Sequence, residues 1–285
     1  MTPRIVDHIR SIASGYDWFI VDQWGVLHDG HTAHPGAVEA LRHLRAHGPV
    51  ALISNTSRRI PVAEAVLQRL GFPPHLYDAC FTAGELAARW LEDHITALGR
   101  TARVHSLLGP PGPTSMVATL DVVHTPEIDH ADVILVAGTH PGPRTTFDPI
   151  LRAGIDSGLP LLCANPDVRS IQPNGSFLWC PGAFAERYKQ LGGTVHRFGK
   201  PGRALYTAAR TVLGDPGRGL AFGDSLEHDV RGAHNAGLAI GLVTRGIHGP
   251  DLGLSPLARP CPDRVAQLAQ QYGTSVDYAM ATFRW

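Results

Sequence analysis

Four short stretches carry residues whose types and spacing could do chemistry together. Asp22 follows Trp18-Phe19-Ile20-Val21 and precedes Gln23-Trp24-Gly25-Val26-Leu27, so an apolar run yields to a carboxylate and then to a tight loop at Gly25. Ser54-Asn55-Thr56 follows Val50-Ala51-Leu52-Ile53. Lys200 lies in Gly199-Lys200-Pro201, and Gly223-Asp224-Ser225 follows Leu220-Ala221-Phe222, with Asp229 five residues past Asp224. A strand-end carboxylate with a second one on the first helical turn can hold a hard divalent cation through oxygen ligands. A hydroxyl and an amide at a strand-to-helix junction suit phosphate oxygens, with a helix N-terminus behind them. Pro201 at a helix start keeps the residue before it extended, which can aim Lys200 inward. Each stretch also has a plain structural reading: a turn-capping Asp22, an Asp229 that favours a helix N-terminus, N-capping hydroxyls and a surface lysine.

The elements that must position these residues read as an α/β protein with a mostly parallel sheet, because apolar runs of four to six residues alternate with helical patterns. Strands are expected at 18–21, 50–53, 104–107, 133–137, 159–163, 220–222 and 239–243. Helices are expected at 35–47, 60–70, 85–97, 182–191 and 202–213. The stretch 171–181 reads as a return crossing, and the chain closes as a helix plus an irregular tail whose Phe283 and Trp285 either touch a partner subunit or tuck onto the core. Asp22, Ser54 and Asp224 each directly follow an apolar strand. In a doubly wound parallel sheet that puts all three at the carboxyl edge, where ligands bind.

Composition sets the outer bounds. With 285 residues, 44% hydrophobic and 18% charged, the chain can bury a sizeable core. Lys+Arg and Asp+Glu both total 25 and no basic patch stands out, so no nucleic-acid or membrane partner is implied. Anionic ligands would be captured locally rather than steered by a global field. Met1 to Arg10 has no apolar signal core and no stretch approaches a membrane span. Cys80, Cys163, Cys180 and Cys261 form no CxxC pair, which fits reduced thiols in a cytoplasmic protein. The histidines form no HExxH zinc arrangement.

Taken together and in order, D-x-x-G-V, S-N-T, G-K-P and G-D-S-x-x-x-D resemble the four motifs of the haloacid dehalogenase superfamily. The resemblance covers roughly residues 16–82 and 181–248. The long connection between the second and third motifs is similar to that of the capped class IIA subfamily, which includes bacterial nucleotide and sugar phosphatases and pyridoxal phosphate phosphatases. There an α/β cap is inserted, and Thr82-Ala83-Gly84-Glu85-Leu86 and Asn165-Pro166-Asp167…Pro181-Gly182-Ala183 are similar to the cap's first and last junctions. The resemblance implies core segments at 1–82 and 181–285 around a cap at 83–180. It implies a phosphate-monoester hydrolase in which Asp22 forms an aspartyl-phosphate. Mg²⁺ would be held by Asp22, the main-chain carbonyl of Trp24 and Asp224, with Asp229 in support. Ser54 and Lys200 would bind the phosphoryl oxygens, with Asn55, Asn165 and Asp167 as further substrate contacts. Lys200 is expected to hold Asp22 and Asp224 ionised. Caps of this subfamily leave a homodimer open.

One position departs from the pattern. Phosphatases of the superfamily usually read DxDG, with the second Asp as general acid and base, and here that residue is Trp24. General acid catalysis is worth about 10²–10⁴ in rate. His28 or Asp29 on the same loop, or the substrate itself, would have to make up the loss. Cleavage of a C–P or C–halogen bond, or weakly active binding of a phosphorylated metabolite, are the alternatives. Thr139 and His140 are further contact candidates beside a plain loop reading, and Arg58 is read as a solvent-facing residue.

Overall fold

The runs Trp-Phe-Ile-Val and Val-Ala-Leu-Ile have no polar face, which is how strands covered on both sides of a parallel sheet read. In the computed structural model, which describes residues 2–108, 116–171, 176–215, 217–255 and 257–285, they form the strands Trp18–Asp22 and Val50–Ser54. Every residue of both is buried, as is every residue of Gly219–Gly223. Chain contacts define two units. One is Met1–Ser54, Glu64–Phe81 and Lys200–Trp285; the other is Asn55–Ala63 and Thr82–Gly199.

Among the described residues, the first unit's sheet runs Arg4–Ile5, Tyr278–Met280, Ala239–Val243, Gly219–Gly223, Trp18–Asp22, Val50–Ser54, Ala79–Thr82. The pairings from Arg4–Ile5 across to Val50–Ser54 are parallel. The helix Ala37–His47 buries Ala37, Ala40, Leu41 and Leu44, the stripe its sequence spacing describes, and Gly48 ends it. The helix Arg203–Leu213 packs on Val50–Ser54 and Trp18–Asp22.

The second unit holds a five-stranded parallel sheet ordered Val195–Arg197, Leu161–Cys163, Val133–Val136, Ala102–Leu108, Val122–His124. Its two faces feed separate cores, as alternation along a strand requires. Ile134, Val136, Leu161 and Cys163 pack with Phe184 and Tyr188, whereas Val133, Leu135 and Leu162 pack with Leu91 and Met116. The helix Ala83–Leu98 starts where the Thr82 side chain accepts the Glu85 N–H, and stops at Gly99 in the left-handed region. Residues 181–199 belong to this unit by contact, although the sequence reading groups them with 200–285. The helix Pro181–Gln190 packs on Leu161–Cys163, and Val195–Arg197 pairs with the same strand.

Several elements differ from expectation. The return crossing is an antiparallel pair, Arg169–Ile171 with Phe177–Trp179, and residues 172–175 of that stretch lie outside the described ones. The tail is not irregular throughout. After the helix Pro262–Gln271 it contributes Tyr278–Met280 to the sheet, a strand too short for period-two alternation to mark. Phe283 is 1% exposed and meets Phe222 edge-on, while Trp285 stacks on His43, so both aromatics tuck back. Cys80, Cys163 and Cys180 are buried free thiols and Cys261 is exposed. No helix among the described residues is long and apolar enough to cross a membrane.

Candidate active site

Register brings the strand-end residues level. Phe222 pairs with Val21 and Asp22 with Ile53, so Asp22 ends its own strand, Ser54 stands one residue past its neighbour's partner, and Asp224 follows Gly223 at the same edge. Asp22, Ser54, Asp224, Asp229 and Lys200 are all buried, between 2% and 7% exposed.

Lys200 Nζ donates to Asp22 Oδ1 at 2.5 Å and to Asp229 Oδ1 at 2.7 Å. The other Asp229 oxygen accepts the N–H groups of Asp224 (3.2 Å) and Ser225 (3.0 Å), locking the turn that presents Asp224. Asp229 lies on the short π-helix Leu226–Val230, which Ser225 caps by accepting the His228 N–H. Tyr206 donates to the Asp229 carbonyl at 3.3 Å, and Asn235 donates to the Pro201 carbonyl at 3.1 Å beside the cis Lys200–Pro201 peptide. Asp22, Asp224 and Asp229 offer carboxylate oxygens within 4.8 Å of one another.

With all four groups ionised, three carboxylates and one ammonium sum to two negative charges. Burial, and then the Asp229 carboxylate, push Asp22 well above the usual carboxylate range against the pull of Lys200. Lys200 does pull Asp22 down as expected, but the expectation that it holds Asp22 low is not met: one cation shared by two carboxylates does not offset their desolvation. Burial would by itself depress Lys200, but Asp22 and Asp229 outweigh it and hold the ammonium well above the usual lysine range. The cluster therefore lacks positive charge, and its donor set is all oxygen. A hard divalent cation such as Mg²⁺ fits both features.

Two glycines show how closely backbone approaches Asp224. A Cβ on Gly25, whose φ is +83°, would lie 2.1 Å from Asp224 Oδ2, and one on Gly246 would lie 2.0 Å from the same oxygen. That oxygen also accepts the Ile247 N–H at 2.9 Å. The Gly246–Ile247 contact escaped the sequence reading, although a glycine shortly after the strand Ala239–Val243 is the signal for a close backbone approach. His248 escaped it too. Its Nε2 accepts the Leu226 N–H at 3.1 Å and its Nδ1 lies 3.0 Å from Asp251, which ties the loop to the first turn of the π-helix.

The loop after Asp22 places the remaining candidates. Gly25 N–H bonds the His28 carbonyl and Leu27 N–H the Gln23 carbonyl, both at 2.8 Å, while the Trp24 side chain is 50% exposed. Asp29 accepts the His31 N–H (2.9 Å), the Thr32 N–H (2.7 Å) and the Thr32 hydroxyl (3.2 Å), chiefly backbone donation from Thr32 that lowers its carboxyl to about 2. His28 is 5% exposed, sits against the rings of Trp24 and Phe72, and accepts the Gly30 N–H at Nδ1.

Within the second unit, Asn55 donates to Asp167 at 2.7 Å, and Asn165 accepts the Asp167 N–H at 2.9 Å. Asn165 and Asp167 form an Asx-type turn, and Asn55 reaches it through Asp167. His140 bridges to Trp179 and lies against Phe147 and Phe184, a packed loop residue; Thr139 and Arg58 are exposed.

A family model described as haloacid dehalogenase-like hydrolase matches residues 19–121, and a second, HAD-hydrolase-like model matches 197–270. Glycerol-3-phosphate phosphatase from Gallus gallus is 26% identical over 94% of this chain and 92% of its own length. A haloacid dehalogenase-like hydrolase from Brucella suis superposes with a TM-score of 0.77 at 27% identity, over 97% of this chain and 99% of that one. Glycerol phosphate phosphatase from Mycobacterium tuberculosis, solved in complex with magnesium, superposes with a TM-score of 0.62 at 26% identity, over 83% and 70%.

Proposed function

The chain belongs to the haloacid dehalogenase-like hydrolases and is a phosphatase of their capped class IIA, and we propose that its Asp22 site hydrolyses small phosphate monoesters through an aspartyl-phosphate, with Mg²⁺ beside the nucleophile. The observation that carries this reading is the buried cluster of Asp22, Asp224 and Asp229 around Lys200. Asp22, at a strand end and held by the Lys200 ammonium, is read as the group that attacks phosphorus. Lys200 and Ser54 bind the transferring oxygens and offset the negative charge of the incoming ester. Asp22, the Trp24 carbonyl and Asp224 would hold Mg²⁺, with Asp229 fixing both Lys200 and the Asp224 turn. When bound, the ion supplies positive charge that screens the dianion from the carboxylates and stabilises the developing charge. The 55–63 and 82–199 unit serves as the cap that selects substrate, with Asn55, Asn165 and Asp167 at its junctions.

The reading is tested by phosphate release from a panel of small esters, with Mg²⁺ and with EDTA. Turnover that needs Mg²⁺ and disappears in Asp22→Asn supports it. A protein that binds Mg²⁺ yet releases phosphate from none of the panel contradicts it.

A further inference from the structure

The loop that follows Asp22 offers little to protonate a departing oxygen. Asp29 spends its carboxylate on three donors of its own turn and stays ionised far below neutral pH. His28 is buried between Trp24 and Phe72 with Nδ1 on the Gly30 N–H. Burial, and then Arg245, lower His34 to about 4, so at neutral pH it carries no proton to give from a cation. His31 sits on the exposed Asp29–Thr32 turn, nine residues past Asp22. Asp224 and Asp229 are engaged in the carboxylate cluster.

What the loop does present is an indole. Trp24 is half exposed, and the exposure is built in. Gly30, at φ +90°, has no Cβ because one would lie 2.3 Å from the Trp24 ring, and the ring meets His28 edge-on at 6.0 Å. The backbone thus seats one part of a large apolar ring two residues from the nucleophile and leaves the rest to solvent. Planar groups stack on such a surface.

We propose that this loop selects phosphate esters whose planar leaving group departs as a stabilised oxyanion, aryl or enol phosphates as a class, and that Trp24 is the surface on which the group stacks. The inference rests on the phosphatase reading above and narrows it. An Asp22 carboxylate oxygen forms its bond to phosphorus, and the bond to the leaving oxygen breaks with its electron pair. The phenolate or enolate leaves without a proton from the protein. Water then adds at phosphorus, the Asp22–phosphorus bond breaks, its pair returns to the carboxylate, and the water protons go to phosphate and solvent. Alkyl oxygens are poor at leaving unprotonated, so glycerol-type esters are disfavoured substrates here.

The test is kcat/KM of the Mg²⁺-loaded full chain along a series from nitrophenyl through phenyl phosphate to glycerol 3-phosphate. The expected profile falls steeply with leaving-group basicity, to about 10²–10⁴-fold lower on the alkyl ester. Trp24→Asp should raise alkyl-ester turnover by about 10²-fold and flatten the series. Trp24→Ala should raise KM for the aryl esters about five-fold with little change in kcat. His31→Gln should leave the profile as it is. Glycerol 3-phosphate turned over as well as nitrophenyl phosphate by the unaltered protein would overturn the inference while leaving the phosphatase reading intact. Loss of turnover in His31→Gln would overturn it too, by identifying a proton donor. No phosphate release from any ester would sink both readings.

Discussion

Two regions that begin within two residues of each other treat charge in opposite ways. At the sheet edge, Asp22, Asp224, Asp229 and Lys200 are packed at 7% exposure or less, with more negative charge than the protein supplies positive. On the loop that leaves the same strand, the carboxylate of Asp29 is fully served by its own turn and the large side chain presented to solvent is an uncharged indole. Buried charge that is not balanced internally is costly unless something else balances it, so the first region suits a cation. The second region is electrically self-contained. On the proposed reading, phosphoryl transfer and proton delivery belong to different stretches of backbone, so one can be kept while the other is weak.

The sharpest way to break this comparison is at the nucleophile. Asp22→Asn should lower turnover of an aryl phosphate by about 10³-fold or more, measured against unaltered protein at saturating Mg²⁺. Next in size is Lys200→Ala, which leaves Asp22 and Asp229 buried without their ammonium. Denaturant melts should show a loss of about 3–5 kcal/mol, smaller when Mg²⁺ is added, since a ligand of the native state stabilises it. A Lys200→Ala protein as stable as its parent would mean that the cluster is not short of positive charge.

Gly246→Ala probes the same region through its backbone. A Cβ there collides with Asp224 Oδ2, so Mg²⁺ affinity by titration calorimetry should fall about 10–100-fold while the fold persists. The smallest effect belongs to the loop. Asp29→Ala removes the acceptor of the His31 and Thr32 N–H groups and should cost about 1 kcal/mol with aryl-phosphate turnover kept. Because the Asp29 carboxyl is lowered to about 2 in the folded chain, its contribution is present above its unfolded value near 4 and is lost as pH falls through 2. The stability gap between parent and Asp29→Ala should accordingly close between about pH 4 and pH 2, and a gap unchanged over that range would show that the carboxylate is not what orders the turn.

The sequence disclosed the first region far better than the second. Strands buried on both faces advertise themselves as uninterrupted apolar runs, so Trp18–Asp22, Val50–Ser54 and Gly219–Gly223 were legible, and with them the polar residues at their ends. Short pieces were not. Tyr278–Met280 and Val195–Arg197 are three residues each and carry no periodicity to find. Lys200 pulls Asp22 down as motif order suggests, but that burial outweighs the pull is not legible, because motif order reports which groups meet and not how much solvent they lose. Spacing sets Asp29 and His28 side by side as candidates for the missing acid; it does not encode the turn in which Asp29 accepts its donors, or the burial of His28 against Trp24 and Phe72. Gly246 and His248 stayed hidden for a similar reason: they act on Asp224 and Leu226 across more than twenty residues of chain.

The identity of the group that receives the phosphoryl decides most directly how this site works. Acid quenching of the Mg²⁺-loaded protein during turnover of an aryl phosphate, followed by peptide mass mapping, reads that identity. The expected result is a phosphorylated peptide containing Asp22, absent from the Asp22→Asn protein. Phosphate released at an undiminished rate by Asp22→Asn, or an adduct on any other residue, would contradict it.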